Sequence, residues 1–261
     1  MTANGREIAA KANGLALDVQ DVMLSLHRRG ALAGILRQAY LEEFLVQTAH
    51  EKGIRVETVE LQHAADLFRR RRGLRTAEAT HRWLQAQQLS STHFEERIER
   101  WLLIEKLKDH VALDLESEFA KRNPEFDVVS LRKAIVPTQD AANEMAERLR
   151  EGMEFSDAAR HFVAPALMAR AFEVEHRFRS ELPSTIGERV FGAKPGATVG
   201  PIADPQGFAL IHVVSMSEAT LDSRTRSVLR NEFFAGWLAK RMKQPIRFPI
   251  IEALESPLVT A

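Results

Sequence analysis

Apolar residues recur every three or four positions through the first 125 residues, and this spacing predicts helices throughout that stretch. Asp18 is placed to cap a helix reaching about Arg29, with Gly30 beyond its end. A second helix runs from about Leu32 to Lys52, with Ile35, Leu36, Ala39, Tyr40, Leu45 and Ala49 at helical spacing. A third spans Thr58 to the arginines 69–72, whose charge suits the negative end of the helix dipole. A fourth covers about Thr76 to Gln88. Thr92 and Glu95 fit a capping box for the fifth and longest helix, expected to reach about Arg122 and to stop before Pro124. Phe94, Ile98, Trp101, Leu102, Ile104 and Leu107 form its apolar stripe.

The pattern changes at Phe126. Val128 to Val136 reads as a strand, interrupted by Arg132-Lys133. Helices follow over about Asp140–Arg150 and, capped by Ser156, to Phe162. A short helix from Pro183 or Ser184 to Phe191 precedes strands near 198–202 and 208–214. A terminal helix from about Asp222 to Lys243 places Val228, Leu229, Phe233, Trp237, Leu238 and Met242 on one face. That face needs a partner, and the N-terminal helices are the expected one. The fold class is therefore α+β: a helical module from both chain ends (1–125 and 218–261) with an α/β domain inserted at 126–217.

Charge narrows the possible partners. Lys plus Arg and Asp plus Glu are each 36, so the net charge is zero, which argues against a nucleic-acid partner. There is no cysteine, hence no disulfide or thiolate. No apolar run approaches the ~18 residues of a membrane span. The opening residues lack the apolar core of a secretory signal, so a cytoplasmic location is expected. The nine histidines show no HxH or HExxH spacing, and neither a metal nor a cofactor is expected.

The stretch Glu188–Val214, ERVFGAKPGATVGPIADPQGFALIHVV, contains Phe191, Pro195-Gly196, Gly200-Pro201 and Gly207 in a fixed order. It resembles the end of a parvulin-type peptidyl-prolyl isomerase domain. With EKGIRVETVELQHAADLFRRRRGL and LSSTHFEERIERWLLIEKL before it and NEFFAGWLAKRMKQPIRF after it, the whole order resembles the SurA and parvulin (PpiC-like) foldase family. The resemblance implies a SurA-like helical chaperone module around a parvulin domain, a small antiparallel sheet with helices. It also implies a peptide partner, unfolded or extended and in part proline-containing.

The resemblance further implies where the site lies. Parvulins carry a His on the first strand, a Cys or Asp facing the proline ring, and a second His on the closing strand. Those positions read Lys133, Pro165 and Ala209 here. The apolar side of the pocket falls on Leu182 and Ile186, with Phe191 at the neighbouring core position and Lys133 at the rim. Two imidazoles and a thiol or carboxylate are thus missing. The expected function is peptide binding, as a chaperone or substrate-presenting accessory protein, with weak or no isomerase activity. The alternatives are an isomerase using a non-standard residue set, with Lys133 donating to the substrate carbonyl, and a dedicated partner of one client or peptide-modifying enzyme.

Three further signals have structural readings. Arginines 69–72 with Arg75 read as a solvated helix end, or as a site for an acidic peptide segment. Trp83, Trp101 and Trp237 read as core residues, as do Met145, Met153 and Met168. Strand alternation puts Ala209 and Ile211 on one face and His212 on the other.

Overall fold

The computed structural model describes residues 2–3 and 6–255. The chain forms two compact units: residues up to Leu113 together with those from Arg230 onward, and Asp114–Leu229 between them. Among the described residues, no helix is long and apolar enough to cross a membrane.

The first unit opens with strands, which corrects the expectation of helix throughout. Strands β1 (Thr2–Ala3), β2 (Arg6–Ala12) and β3 (Leu15–Asp18) form an antiparallel sheet in that order. Asn13 and Gly14 both have positive φ, 48° and 79°, and join β2 to β3. An Asn-Gly pair between alternating residues is a strong hairpin signal, and it outweighs the weak helical spacing of so many alanines.

Helices α1 (Val19–Arg28), α2 (Leu32–Glu51), α3 (Thr58–Arg71), α4 (Ala77–Ala86) and α5 (Ser91–Val111) follow. Asp18 caps α1 by accepting from the Asp21 N–H at 2.8 Å. Helix α5 is capped by Ser90, which accepts from the His93 N–H, rather than by Thr92. It also ends earlier than its apolar stripe predicts. Asp114 accepts from the Ser117 N–H at 3.1 Å and starts a separate helix, α6 (Leu115–Arg122). An N-cap carboxylate satisfies a donor that a continuous helix would leave no room for, so the chain breaks there.

Leu45, Val46, Ala49, Leu103 and Leu107 form one core of this unit. Phe234, Trp237 and Leu238 of helix α11 (Ser223–Arg241) pack against it, as the apolar face of the terminal helix requires. A second cluster joins Ala64, Ala65, Leu84, Phe94 and Ile98, with Phe68 and Trp83 against it. Phe68 meets Trp83 and Phe94 edge-on at 5.4 and 5.3 Å. Trp101 departs from the core reading, with 48% of its surface exposed. The last helix, α12 (Pro249–Glu255), was not apparent in the sequence pattern.

The second unit is an α+β domain. Its sheet orders β5 (Glu175–Phe178), β4 (Val128–Val136), β7 (Gly207–Ser217) and β6 (Thr198–Asp204), all antiparallel. Helices α7 (Gln139–Arg150), α8 (Phe155–Phe162) and α9 (Pro165–Phe172) cover one face, burying Ala134, Val136 and Leu210 against Met145 and Phe155. Helix α10 (Ser184–Phe191) covers the other over Val129, Leu131, Val199, Ile211 and Val213. Both faces are buried at this end of the sheet, which explains a near-continuous apolar run instead of clean alternation. Helix α9 and strand β5 fill the glycine-free stretch after Phe162. The Glu154 backbone, not a Ser156 side chain, precedes α8. Phe126, Phe178 and Leu229 form a further cluster in this unit, its rings edge-on at 5.6 Å.

Gly207 has φ 137°, and a Cβ there would collide with the Val136 carbonyl. Gly207→Ala is expected to lower unfolding stability by at least about 2 kcal/mol, read from urea denaturation of the full chain.

Candidate functional site

The pairing of β4 with β7 decides which side chains meet. Lys133 lies opposite Ile211, and Ile135 opposite Ala209. With a period of two, Lys133, Ile135, Ala209 and Ile211 share the face that α10 partly covers. Beside α10 this face opens into a cavity of about 520 Å³. Lys133, Ile135, Asp204 and Gln206 line it, together with Arg170 and Glu173 from the end of α9 and Glu175 and Arg177 from β5.

Lys133 does not point freely into solvent. Its Nζ donates to Asp204 Oδ2 at 2.6 Å, and the Asp204 side chain is only 14% exposed. Asp204 sits in the tight β6–β7 turn, where its other oxygen accepts the Gln206 N–H at 3.0 Å. The Lys133 hydrogen bond and then the Gln206 N–H hold the Asp204 carboxyl below the usual carboxylate range. Across the cavity, Arg177 pairs with Glu175 at 2.7 Å. The cavity therefore carries three cations and three carboxylates, four of them paired. Asp204 was missed in the sequence. Its Asp-Pro-Gln-Gly turn closes β6, which β7 separates from the Lys133 strand, and no spacing in the sequence reports that meeting.

The other positions named from the sequence fall in different surroundings. Ala209 is 3% exposed and presents only a methyl group on the shared face. Pro165 is the first residue of α9, exposed, and absent from the cavity lining. Leu182, Ile186 and Phe191 are half-buried and pack together against the α10 side of the sheet, and none of them lines the cavity. The Arg179 guanidinium covers the Phe191 ring at 3.9 Å, so one face of that ring is taken.

His212 points to the opposite face, as alternation requires. Its ring stacks on Phe155 at 4.9 Å, and Nδ1 lies 3.2 Å from Thr198 Oγ1. Burial, and secondarily the nearby Arg132 charge, lower its pKa, with Glu154 opposing. Neither of these groups can serve chemistry on the Lys133 face.

An antiparallel four-stranded sheet with β4 and β7 central, helices on both faces and a cavity over β4 between β5 and the β6–β7 turn defines a parvulin-type domain. Residues 122–215 match the model of the Rotamase family, described as a PPIC-type PPIASE domain. The central unit is thus a PpiC-type peptidyl-prolyl isomerase domain, and the match supports a foldase of the SurA and parvulin type. No match was found among curated proteins. Among solved structures, the chain is similar to the peptidylprolyl isomerase PrsA of Bacillus anthracis (13% identity, TM-score 0.46, 80% of this chain and 100% of that one). It is also similar to PrsA of Bacillus cereus (11%, 0.44, 96% and 99%) and to a SurA-like chaperone of Campylobacter jejuni (12%, 0.32, 92% and 99%).

Two titrations follow from this geometry. Lys133→Ala removes the largest cause of the Asp204 shift, so carboxyl NMR should show its pKa rise toward the ordinary 3.8. The stabilisation from this pair is present above that ordinary value and is lost as pH falls through the lower folded one. His212 behaves with the signs of a base. The fold holds it neutral, so the unfolded chain binds more protons between the lowered value and the ordinary 6.5. Stability should rise with pH across that window and be fully present above it, and His212→Gln should flatten the slope in urea denaturation at stepped pH.

Proposed function

We propose that this protein binds unfolded or extended polypeptide, proline-containing segments included, and acts as a chaperone or substrate-presenting factor with weak or no prolyl isomerase activity. The observation that carries this reading is the Lys133–Asp204 ion pair on the same sheet face as the methyl group of Ala209, where an isomerase of this class would offer imidazoles.

Rotation about the X–Pro bond meets a barrier of ~20 kcal/mol from its partial double-bond character. An isomerase must favour the twisted form over both planar forms. Each ~1.4 kcal/mol of such preference gives about tenfold in rate. An apolar patch of Leu182 and Ile186 can receive a proline ring, yet it contacts planar and twisted forms alike. A polar group that responds to the twist is needed for the rest. Lys133 is a donor on the same sheet face, and its ammonium already serves Asp204. Withdrawing it from that carboxylate would cost part of what an approaching carbonyl returns. Ground-state binding survives such losses better than rate acceleration does, because ring burial and backbone hydrogen bonds remain.

In a protease-coupled assay on a proline peptide, the full chain is expected to turn over far more slowly than an ordinary parvulin. Isothermal calorimetry with a reduced, unfolded polypeptide is expected to show binding. Ordinary parvulin turnover, or no binding to any unfolded chain, would refute the proposal.

A further inference from the structure

The helical unit carries a second, separate surface with chemistry of its own. A groove of about 370 Å³ runs between α3 and α5. Phe68 and Ile98 form its floor, Leu67 and Trp101 its sides. The size lies near the lower end of ligand pockets, roughly 300–1,000 Å³, and suits one large apolar side chain. Trp101 is the residue that makes it unusual, since an indole left about half in water on a helix face is the kind of anchor that dominates protein interfaces.

Arg71, Arg72 and Arg97 rim the groove. The dipole of α3 accounts for Arg71 and Arg72 at its end. It does not account for Arg97, which lies past the first turn of α5. Nearby carboxylates do not account for it either. Asp66 pairs with Arg69, Glu60 with Lys106, and both Glu42 and Glu43 with Arg100. Among the described residues, Arg71 and Arg97 have no carboxylate partner. Arg72 stacks over Phe68 and Trp83 at 5.1 and 5.5 Å, which fixes its planar fork beside the floor. On the other side of α3, a larger cavity is lined by Arg70 and Arg75 together with the Asp66–Arg69 pair, so the positive character extends around the helix end.

The geometry points to a docking site for an acidic polypeptide segment carrying one large apolar side chain. That side chain enters between Phe68, Ile98 and Trp101, and flanking carboxylates pair with Arg71 and Arg97. The guanidinium fork matches a carboxylate in two parallel hydrogen bonds, and Arg and Trp are the side chains most enriched at binding hot spots. A nucleic acid fits less well, because the groove offers one exposed ring and the chain has no net positive charge. The site requires no proline and stands independently of the parvulin cavity.

The test is fluorescence anisotropy of the full chain with a fluorescein-labelled peptide that sets one Phe among glutamates and contains no proline. Binding is expected. Arg97→Glu and Trp101→Ala should each weaken it by at least about tenfold, and Arg97→Lys by less. Exchanging the peptide's glutamates for lysines should abolish binding, and exchanging its Phe for Ala should weaken it. Both side chains are exposed, so far-UV circular dichroism and thermal melting of the variants should match the parent. Absence of binding to the acidic peptide would overturn the assignment, as would parent-like affinity in both variants. Tighter binding of a single-stranded oligonucleotide that displaces the peptide would assign the surface to nucleic acid instead.

Discussion

The central unit depends on the antiparallel pairing of β4 with β7. These two strands lie some seventy residues apart in the chain, and everything between them is wrapped around their ladder. Side chains alternate along both, so the pairing sorts the domain into two halves. Even-numbered positions such as Ala134, Val136 and Leu210 go beneath α7, α8 and α9. Odd-numbered ones such as Leu131 and Ile211 go beneath α10, and Lys133 and Ala209 stand where that cover ends. A slip of one residue would exchange the two sets and put Arg132 and His212 at the cavity. The register is held by burial on both faces at once.

The same pairing fixes what stands at the cavity. The turn that brings Asp204 to Lys133 is the same one in which Gly207 lies against the Val136 carbonyl. A structural requirement of the fold thus places a carboxylate at the mouth of the cavity. A lysine on β4 then has an obvious partner, and the pair neutralises both charges in a partly enclosed space. The cavity remains, with two ion pairs in its walls.

The sequence disclosed the frame better than the site. Long periodic elements were legible: α2, α3, α10, β4 and α11 follow from spacing, caps and glycines. The resemblance of Glu188–Val214 identified the domain because its turn residues are demanded by backbone geometry. Local competition was harder to read. The Asn13-Gly14 hairpin was hidden among alanines that also suit a helix, and Asp114 divided a helix whose stripe seemed continuous. Beyond the docking of α11 on the N-terminal helices, the tertiary neighbours of single side chains were not legible. Nothing in the spacing says that Lys133 meets Asp204, that Arg179 covers Phe191, or that Trp101 alone among the tryptophans stays in water. Each depends on where a distant segment comes to rest.

Helix α11 has a consequence for how the protein is made. The cluster of Leu45, Leu103 and Leu107 is completed by Phe234, Trp237 and Leu238, close to the end of the chain. During synthesis the amino-terminal helices emerge long before the residues that cover them. The central unit, whose strands and helices are contiguous in sequence, can finish first. The helical unit keeps an apolar face open until α11 emerges. Until then those helices are themselves an unfinished chain with apolar surface in water.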